Sequence, residues 1–204
     1  MPILLTWQET NRYHVEMADY AKAPTIGARI AAARRSRGFS TPDQLVAAMP
    51  GSGITAAVLA NIENGRRANL DVSQLLNIAL SLGVPVSSLL APMSRPNDPL
   101  DLSGLGDGFA DMTAADFDAW LSALPSSGFI AGTAHERNDR TELQALRELR
   151  SIRKEIARLD VVISLESDAG LPEGIAGRTK ERSASLKAEA SKLREYLVSA
   201  GWEL

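Results

Sequence analysis

The feature that most constrains this chain is a series of short helix signals, each closed by a helix-breaking residue, between residues 26 and 90. The clearest one starts at Thr55, whose hydroxyl suits a helix N-cap, and ends at Gly65, which suits the left-handed turn after a helix. Similar segments surround it at about 26–37, 42–49, 72–82 and 85–90. Helices this short depend on tertiary packing, so together they predict a compact all-α domain.

Composition places the chain among soluble globular proteins. Of its 204 residues, 45% are hydrophobic and 23% are charged, and none is cysteine. Disulfides, cysteine zinc sites and thiol chemistry are therefore excluded, and His14 and His135 lack metal-ligand spacing, so we expect no metal and no cofactor. No apolar run approaches the roughly 18 residues of a membrane span, and no basic leader precedes the apolar N-terminus, which predicts a cytoplasmic protein.

Charge is unevenly distributed along the chain. Residues 25–70 contain six arginines against Asp43 and Glu63, a local net of +4, whereas residues 95–133 contain one arginine and six aspartates. The last 71 residues contain thirteen charges of each sign. A basic block inside a protein of net charge -3 predicts that one segment contacts a polyanion.

Local start and stop signals define the segments of the all-α domain, which we place at residues 25–92. Thr41, Pro42 and Gln44 match a capping box with proline at the first helical position. Gly38 ends the preceding helix, and Phe39 is predicted to plug the core. On the segment at 72–82 we expect the following residues to point inward: Val72, Leu75, Leu76, Ala79 and Leu82.

Two stretches flank this domain. Residues 1–24 contain two short runs of alternating polarity around Thr10-Asn11, which favour a small N-terminal β-hairpin, with an amphipathic helical arm as the alternative. Residues 93–112 are rich in proline, glycine and aspartate, which predicts a linker.

The C-terminal region, 113–204, has helical periodicity throughout. A short helix with Phe117 and Trp120 on one face comes first, followed by two long segments separated by a glycine-rich break near 170–177. The apolar seam of the long segments consists of Leu149, Ile152, Ile156, Leu159 and Ile163 on the first and Leu186, Leu193 and Leu197 on the second. Their spacing predicts a helical hairpin or coiled coil, formed either within one chain or between two subunits.

The segments around Thr55 have the parts that major-groove binding requires. A helix can enter the groove when a second helix holds it at a steep angle, and residues beyond its C-terminus then lie over phosphates. The residues expected there are Asn64, Arg66, Arg67 and Asn69. Such contacts govern affinity and its salt dependence rather than sequence choice.

Residues 26–90 resemble the Cro/CI-type helix-turn-helix domain of phage repressors and related bacterial regulators. The residues that carry the resemblance are Ile30, Arg34, Gly38-Phe39, Leu45, Ile54-Thr55, the run Ile62-Glu63-Asn64-Gly65-Arg66, and the pattern from Leu75 to Leu90. The resemblance covers about a third of the chain. It implies a five-helix lambda-repressor-like fold and a homodimeric, sequence-specific regulator of transcription, most simply a repressor, that binds double-stranded DNA.

The resemblance also implies roles for particular residues. Arg34 would form an ion pair with Glu63, which either stabilises the fold alone or also steers Arg34 toward a phosphate, and Thr41 would touch another phosphate. The residues facing base edges would be Thr55, Ala56, Ala57 and Asn61. Of these, only Asn61 suits bidentate recognition of adenine, and the alanines either contact thymine methyl groups or are simply good helix formers.

This sequence departs from the family pattern in two ways. The stretch Met49-Pro50-Gly51-Ser52-Gly53 makes the turn about three residues longer than usual. The groove-facing positions are poor in long polar side chains, so specificity would rest partly on DNA shape or on the N-terminal arm.

Other functional classes account for less of the sequence. Ala131-Gly132 matches the cleavage dipeptide of self-cleaving repressors, but the helical periodicity after residue 135 excludes their β-rich peptidase, and we expect no enzyme. One alternative is an antitoxin or mobile-element regulator whose C-terminal helices bind a protein partner, with DNA binding as autoregulation. Another is a scaffold in which the helix-turn-helix mediates protein contact.

Overall fold

Helices dominate the computed structural model of this chain, which describes residues 20–67, 69–124, 130–168 and 173–204. In these ranges the α-helices are α1 (Ile26–Ser36), α2 (Pro42–Ala47), α3 (Ala56–Glu63), α4 (Val72–Leu82), α5 (Val86–Leu90), α6 (Ala114–Ser122), α7 (Ala134–Asp168) and α8 (Glu173–Ser199). The described residues contain no strand, only an isolated bridge between Pro99 and Thr113. The predicted mainly α class is confirmed, and the predicted N-terminal β-hairpin lies almost entirely outside the described residues.

The chain divides into two units, Met1–Ser122 and Ala123–Leu204. We predicted a domain that ends at 92, a linker at 93–112 and a C-terminal region from 113. The structure differs, because the predicted linker and α6 belong to the first unit.

A buried arginine holds the predicted linker on the first unit. Arg29 is fully buried, and its guanidinium donates to both carboxylate oxygens of Asp101, at 2.7 and 3.0 Å. Its remaining N–H groups donate to the backbone oxygens of Ala23, Leu89 and Leu90. All five donors of the side chain are thereby satisfied, which keeps Asp101 and the adjoining loop on the surface of α1 and α5.

The core of the first unit is formed by the apolar faces of α1 to α5. It includes Ile30, Leu45, Leu59, Ile78 and Leu89, and none of these residues has exposed surface. Side-chain caps set the helix starts locally, since Thr25, Thr41 and Thr55 accept hydrogen bonds from amides three residues on. Gly38, with φ of 84°, ends α1, and Phe39 packs against the core as expected.

Helix α4 presents a different face to the core than predicted. Leu75, Ile78, Ala79 and Leu82 are buried, whereas Val72 and Leu76 are exposed. Seven of the eleven residues of α4 are aliphatic, so its sequence has no unique apolar stripe. Tertiary packing selects the face, and the expectation for Val72 and Leu76 was wrong.

Helices α7 and α8 pack against each other within one chain as an antiparallel hairpin. Trp202 donates to Glu142, Ser183 to Asp160 and Thr179 to Glu166, so later residues of α8 meet earlier residues of α7. The apolar seam between the two helices is fully buried at one end only. Leu149, Ile152 and Leu197 are buried there, whereas the other predicted seam residues, Ile156, Leu159, Ile163, Leu186 and Leu193, are half-buried.

Two negative findings hold for the described residues. None of their helices combines the length and apolar character that crossing a membrane requires. They also contain no cluster of three or more histidine, aspartate or glutamate side chains that could hold a metal ion.

Candidate nucleic-acid interface

Helix α3 is fixed against α1 by a close backbone approach. Gly27 lies over the last turn of α3, where a Cβ atom at this position would lie 3.0 Å from the carbonyl oxygen of Glu63 and still closer to that of Ile62. On the same side of α3, Leu59 and Ile62 enter the core. Only glycine allows this separation, so Gly27 determines how near α3 lies to α1.

An ion pair fixes the same junction at its side. Arg34 donates to both carboxylate oxygens of Glu63, at 2.7 and 2.8 Å, and also to the backbone oxygens of Phe39 and Ser40. The hydrogen bond with Glu63 raises the pKa of Arg34. The predicted pair is therefore present, and it ties α1, the turn before α2 and the end of α3 together.

The same geometry argues against the predicted phosphate contact of Arg34. Four of the five N–H groups of its guanidinium are already used inside the protein, and the side chain is buried. A phosphate would need an exposed guanidinium, so we assign Arg34 to the fold alone.

The outer face of α3 carries the predicted base-reading positions. Thr55, Ala57 and Asn61 are exposed, and Ala56 is half-buried at the edge of the same face. Thr55 accepts from the amide of Val58 at 3.3 Å and so also starts the helix. Asn61 is the one member with a carboxamide, and that group makes no hydrogen bond to the described residues.

The turn between α2 and α3 is long, as the sequence indicated, but it is well anchored. Met49 and Ile54 are both buried in the core and hold its two ends. Gly51 and Gly53 have φ of 79° and 69°, which a residue with a Cβ rarely adopts. The turn therefore forms a largely exposed bend before the start of α3.

The segment after α3 contains the predicted phosphate-binding residues. Asn64, Arg66 and Asn69 are exposed. Arg67 is half-buried, and its guanidinium donates to the backbone oxygen of Asn69 at 3.0 Å and to Asp71 at 3.4 Å. Thr41, predicted as a further phosphate ligand, is exposed and caps α2.

The structure redistributes the charge of the basic block. Arg29 and Arg34 are buried against carboxylates, and Arg37 donates to the carbonyl oxygen of Leu82 at the end of α4. Asp71 and Asp101, both outside the block, each cancel one of its charges, which lowers the local net from +4 to +2. The exposed cations left without an ion pair among the described residues of the block are Arg35 and Arg66.

Two features of the first unit could not be predicted from the sequence, the close approach of Gly27 to α3 and the pairing of Arg29 with Asp101. Gly27 carried no signal, since a glycine inside a helix is ordinarily only tolerated. The pairing of Arg29 with Asp101 spans 72 positions, and neither residue stands out from its neighbours in the sequence. Comparison of the chain with protein-family models, with curated proteins and with solved structures gives no match.

Proposed function

We propose that the chain is a sequence-specific regulator of transcription that binds double-stranded DNA as a homodimer, with α2 and α3 as its helix-turn-helix. The observation that carries this proposal is the outer face of α3. It presents the exposed, unpaired carboxamide of Asn61 one turn from Ala57, and exposed Arg66 follows at the end of the helix. A carboxamide beside a small apolar side chain suits an adenine next to a thymine methyl group.

The rigidity of the junction supports the same proposal. A reading helix must be held at a defined angle, because base-edge contacts require good hydrogen-bond geometry. Here the approach of Gly27 and the ion pair of Arg34 with Glu63 restrain α3 from two directions. None of the three residues is needed on the DNA side, so the restraint persists when the outer face is occupied.

The charges support a modest electrostatic contribution to binding. Arg66 is free for a phosphate, and Arg67 can reach one by exchanging its long 3.4 Å contact with Asp71. Two such arginines in each of two subunits would neutralise about four phosphates, which predicts a slope of log affinity against log salt of about -3.6. If all six arginines of residues 25–70 bound phosphates in each subunit, the slope of log affinity against log salt would be much steeper.

A footprint of the full chain on its own upstream DNA tests this function, and a protected site with dyad symmetry is the expected result. Asn61→Ala should relax the base preference at one position of each half-site with little change in salt slope. Arg66→Ala should weaken binding equally on all sequences and reduce the slope by about 1 per subunit.

Arg95→Ala is the matched control for Arg66→Ala, since it removes an exposed arginine of the same unit whose ion pair among the described residues is with Asp98. It should leave affinity and slope unchanged. Equal losses for Arg66→Ala and Arg95→Ala would mean a diffuse charge effect and would count against the proposed interface. Failure to bind any duplex at low salt by the folded chain would reject the function.

A further inference from the structure

Helix α4 has a row of aliphatic side chains that the described residues of the first unit leave exposed. Val72, Leu76 and Leu80 are 72%, 51% and 81% exposed, and they follow one another at spacings of four residues. Side chains at this spacing lie above one another along one side of a helix. An aliphatic row of this kind marks an interaction face more often than isolated exposed leucines do.

The row lies beside a matching groove on the same helix. The neighbouring positions one residue on are Ser73, Asn77 and Ser81, whose side chains are short, and the Asn77 amide donates back to the backbone oxygen of Ser73 at 2.9 Å. Helices commonly pack by laying such a four-residue ridge into the groove beside the same ridge of the other helix. Because α4 has both parts side by side, a second α4 complements it.

Charge narrows the choice of partner. None of the eleven residues of α4 is charged, in a chain where 23% of residues are. Charges adjoin only the two ends of the helix, where Asp71 contacts Arg67 before its start and Arg37 donates to the carbonyl oxygen of Leu82 at its end. Along the helix itself a polyanion, an acidic peptide or a basic peptide would find no complementary charge, whereas an identical uncharged face matches it.

We infer that two copies of this chain associate through Val72, Leu76 and Leu80, with α4 packed against α4 across a two-fold axis. Three side chains per copy bury much less than the roughly 800 Å² per partner of a stable interface, so this dimer is weak in free solution. Two half-sites on one DNA would hold the copies together by raising their local concentration. The inference rests on the proposed function for that last step only.

The absence of cysteine from the chain permits a direct test on the full-length protein without DNA. Near the centre of a two-fold contact, residue 76 of one copy meets residue 76 of the other, and a disulfide needs Cα atoms within about 7 Å. Leu76→Cys should therefore form a disulfide-linked dimer at least about tenfold faster than Ala115→Cys, an exposed position on α6, since only the former satisfies this distance.

Sedimentation of Leu76→Glu and Ala115→Glu provides the second readout. Leu76→Glu should weaken self-association at least about tenfold without lowering the unfolding temperature, because it places two carboxylates in one apolar contact. Ala115→Glu should leave the dissociation constant unchanged.

Three results would overturn the inference. One is equal disulfide formation by Leu76→Cys and Ala115→Cys. Another is rapid disulfide formation by Val161→Cys or Leu165→Cys on α7 but not by Leu76→Cys, which would place the dimer contact on the hairpin. The third is protection of the Leu76→Cys thiol from a thiol reagent in the monomer, which would mean that another part of the same chain covers the row.

The test separates this inference from the proposed function. Disulfide formation by Leu76→Cys in a chain that binds no duplex would support the α4 contact and reject DNA binding. A footprint without α4 disulfide formation would support the function and reject the contact.

Discussion

The α1–α3 junction and the α7–α8 hairpin hold two helices together by different means. At the junction, backbone approaches backbone over Gly27, and the buried pair of Arg34 and Glu63 restrains the helices laterally. The hairpin is held by a side-chain seam that is fully buried only around Leu149 and Leu197 and elsewhere combines half-buried aliphatic side chains with hydrogen bonds. The difference indicates that α3 is held in one orientation, whereas the hairpin mainly keeps two long helices side by side.

The largest expected effect comes from breaking the ion pair of the junction. Arg34→Met should lower the free energy of unfolding of the first unit by about 3–5 kcal/mol, because it leaves the Glu63 carboxylate buried and uncompensated. Urea unfolding of the full chain measures this. Arg67→Met removes a surface pair with Asp71 and should cost less than about 1 kcal/mol, so similar losses would contradict the assignment of Arg34 to the fold.

The seam of the hairpin provides the second test. Leu149→Ala should cost about 2–5 kcal/mol locally, because the side chain is fully buried and leaves a cavity. Hydrogen exchange should accelerate in α7 and α8 but not in α1 to α5. Leu165→Ala, at a position 63% exposed, should change exchange by less than about 0.5 kcal/mol. Acceleration spread evenly over both units would refute independent stabilisation of the hairpin.

Adding one methyl group at the junction should have a somewhat smaller effect. Gly27→Ala should cost about 1–3 kcal/mol, since the new Cβ meets backbone oxygens of α3 that cannot rotate away. It should also weaken DNA binding more than its stability loss accounts for, because α3 must move outward. Gly106→Ala, at a glycine with open space around its Cβ and an ordinary φ of -76°, is the control and should change neither quantity.

The smallest expected effect is on the pH dependence of the stability of the hairpin. Hydrogen bonds from Lys187 and Ser183 lower the pKa of Asp160. A lowered pKa in the folded state means that the stabilisation is present above the ordinary aspartate value of about 4 and is lost as the pH falls through the folded value. The protection of amides near Ser183, taken relative to their intrinsic exchange rates, should therefore decrease as the pH falls below about 4.

Asp160→Asn should remove that part of the pH dependence while keeping a side chain of the same shape. Exchange in α1 to α5 should not respond to this substitution, which distinguishes the local effect from general acid unfolding. An unchanged acid response in Asp160→Asn would assign the pH dependence to other carboxylates.

Features that depend on local chemistry were largely predictable from the sequence. Thr41 and Thr55 start their helices because a hydroxyl satisfies amides only three residues away, and Gly65 follows α3 because it accepts a left-handed backbone. The 3-4 spacing of Leu149, Ile152 and Ile156 likewise predicted a paired helix.

Features that depend on distant partners were decided only by the tertiary structure. The pairing of Arg29 with Asp101 converts a proline- and glycine-rich stretch from a predicted linker into part of the first unit. The sequence could not predict which side of α4 packs on the core, because aliphatic residues lie around most of the helix. Packing against Leu75 and Ile78 left Val72, Leu76 and Leu80 in solvent.

For the helix that follows Thr55, the sequence by itself determined its start, its end and the identity of the side chains on its outer face. The tertiary structure decided which arginines remain exposed near this helix. Arg34 and Arg29 are buried and paired with carboxylates, whereas Arg66 stays exposed. A charge count cannot make this distinction, because burial and pairing depend on where the rest of the chain packs.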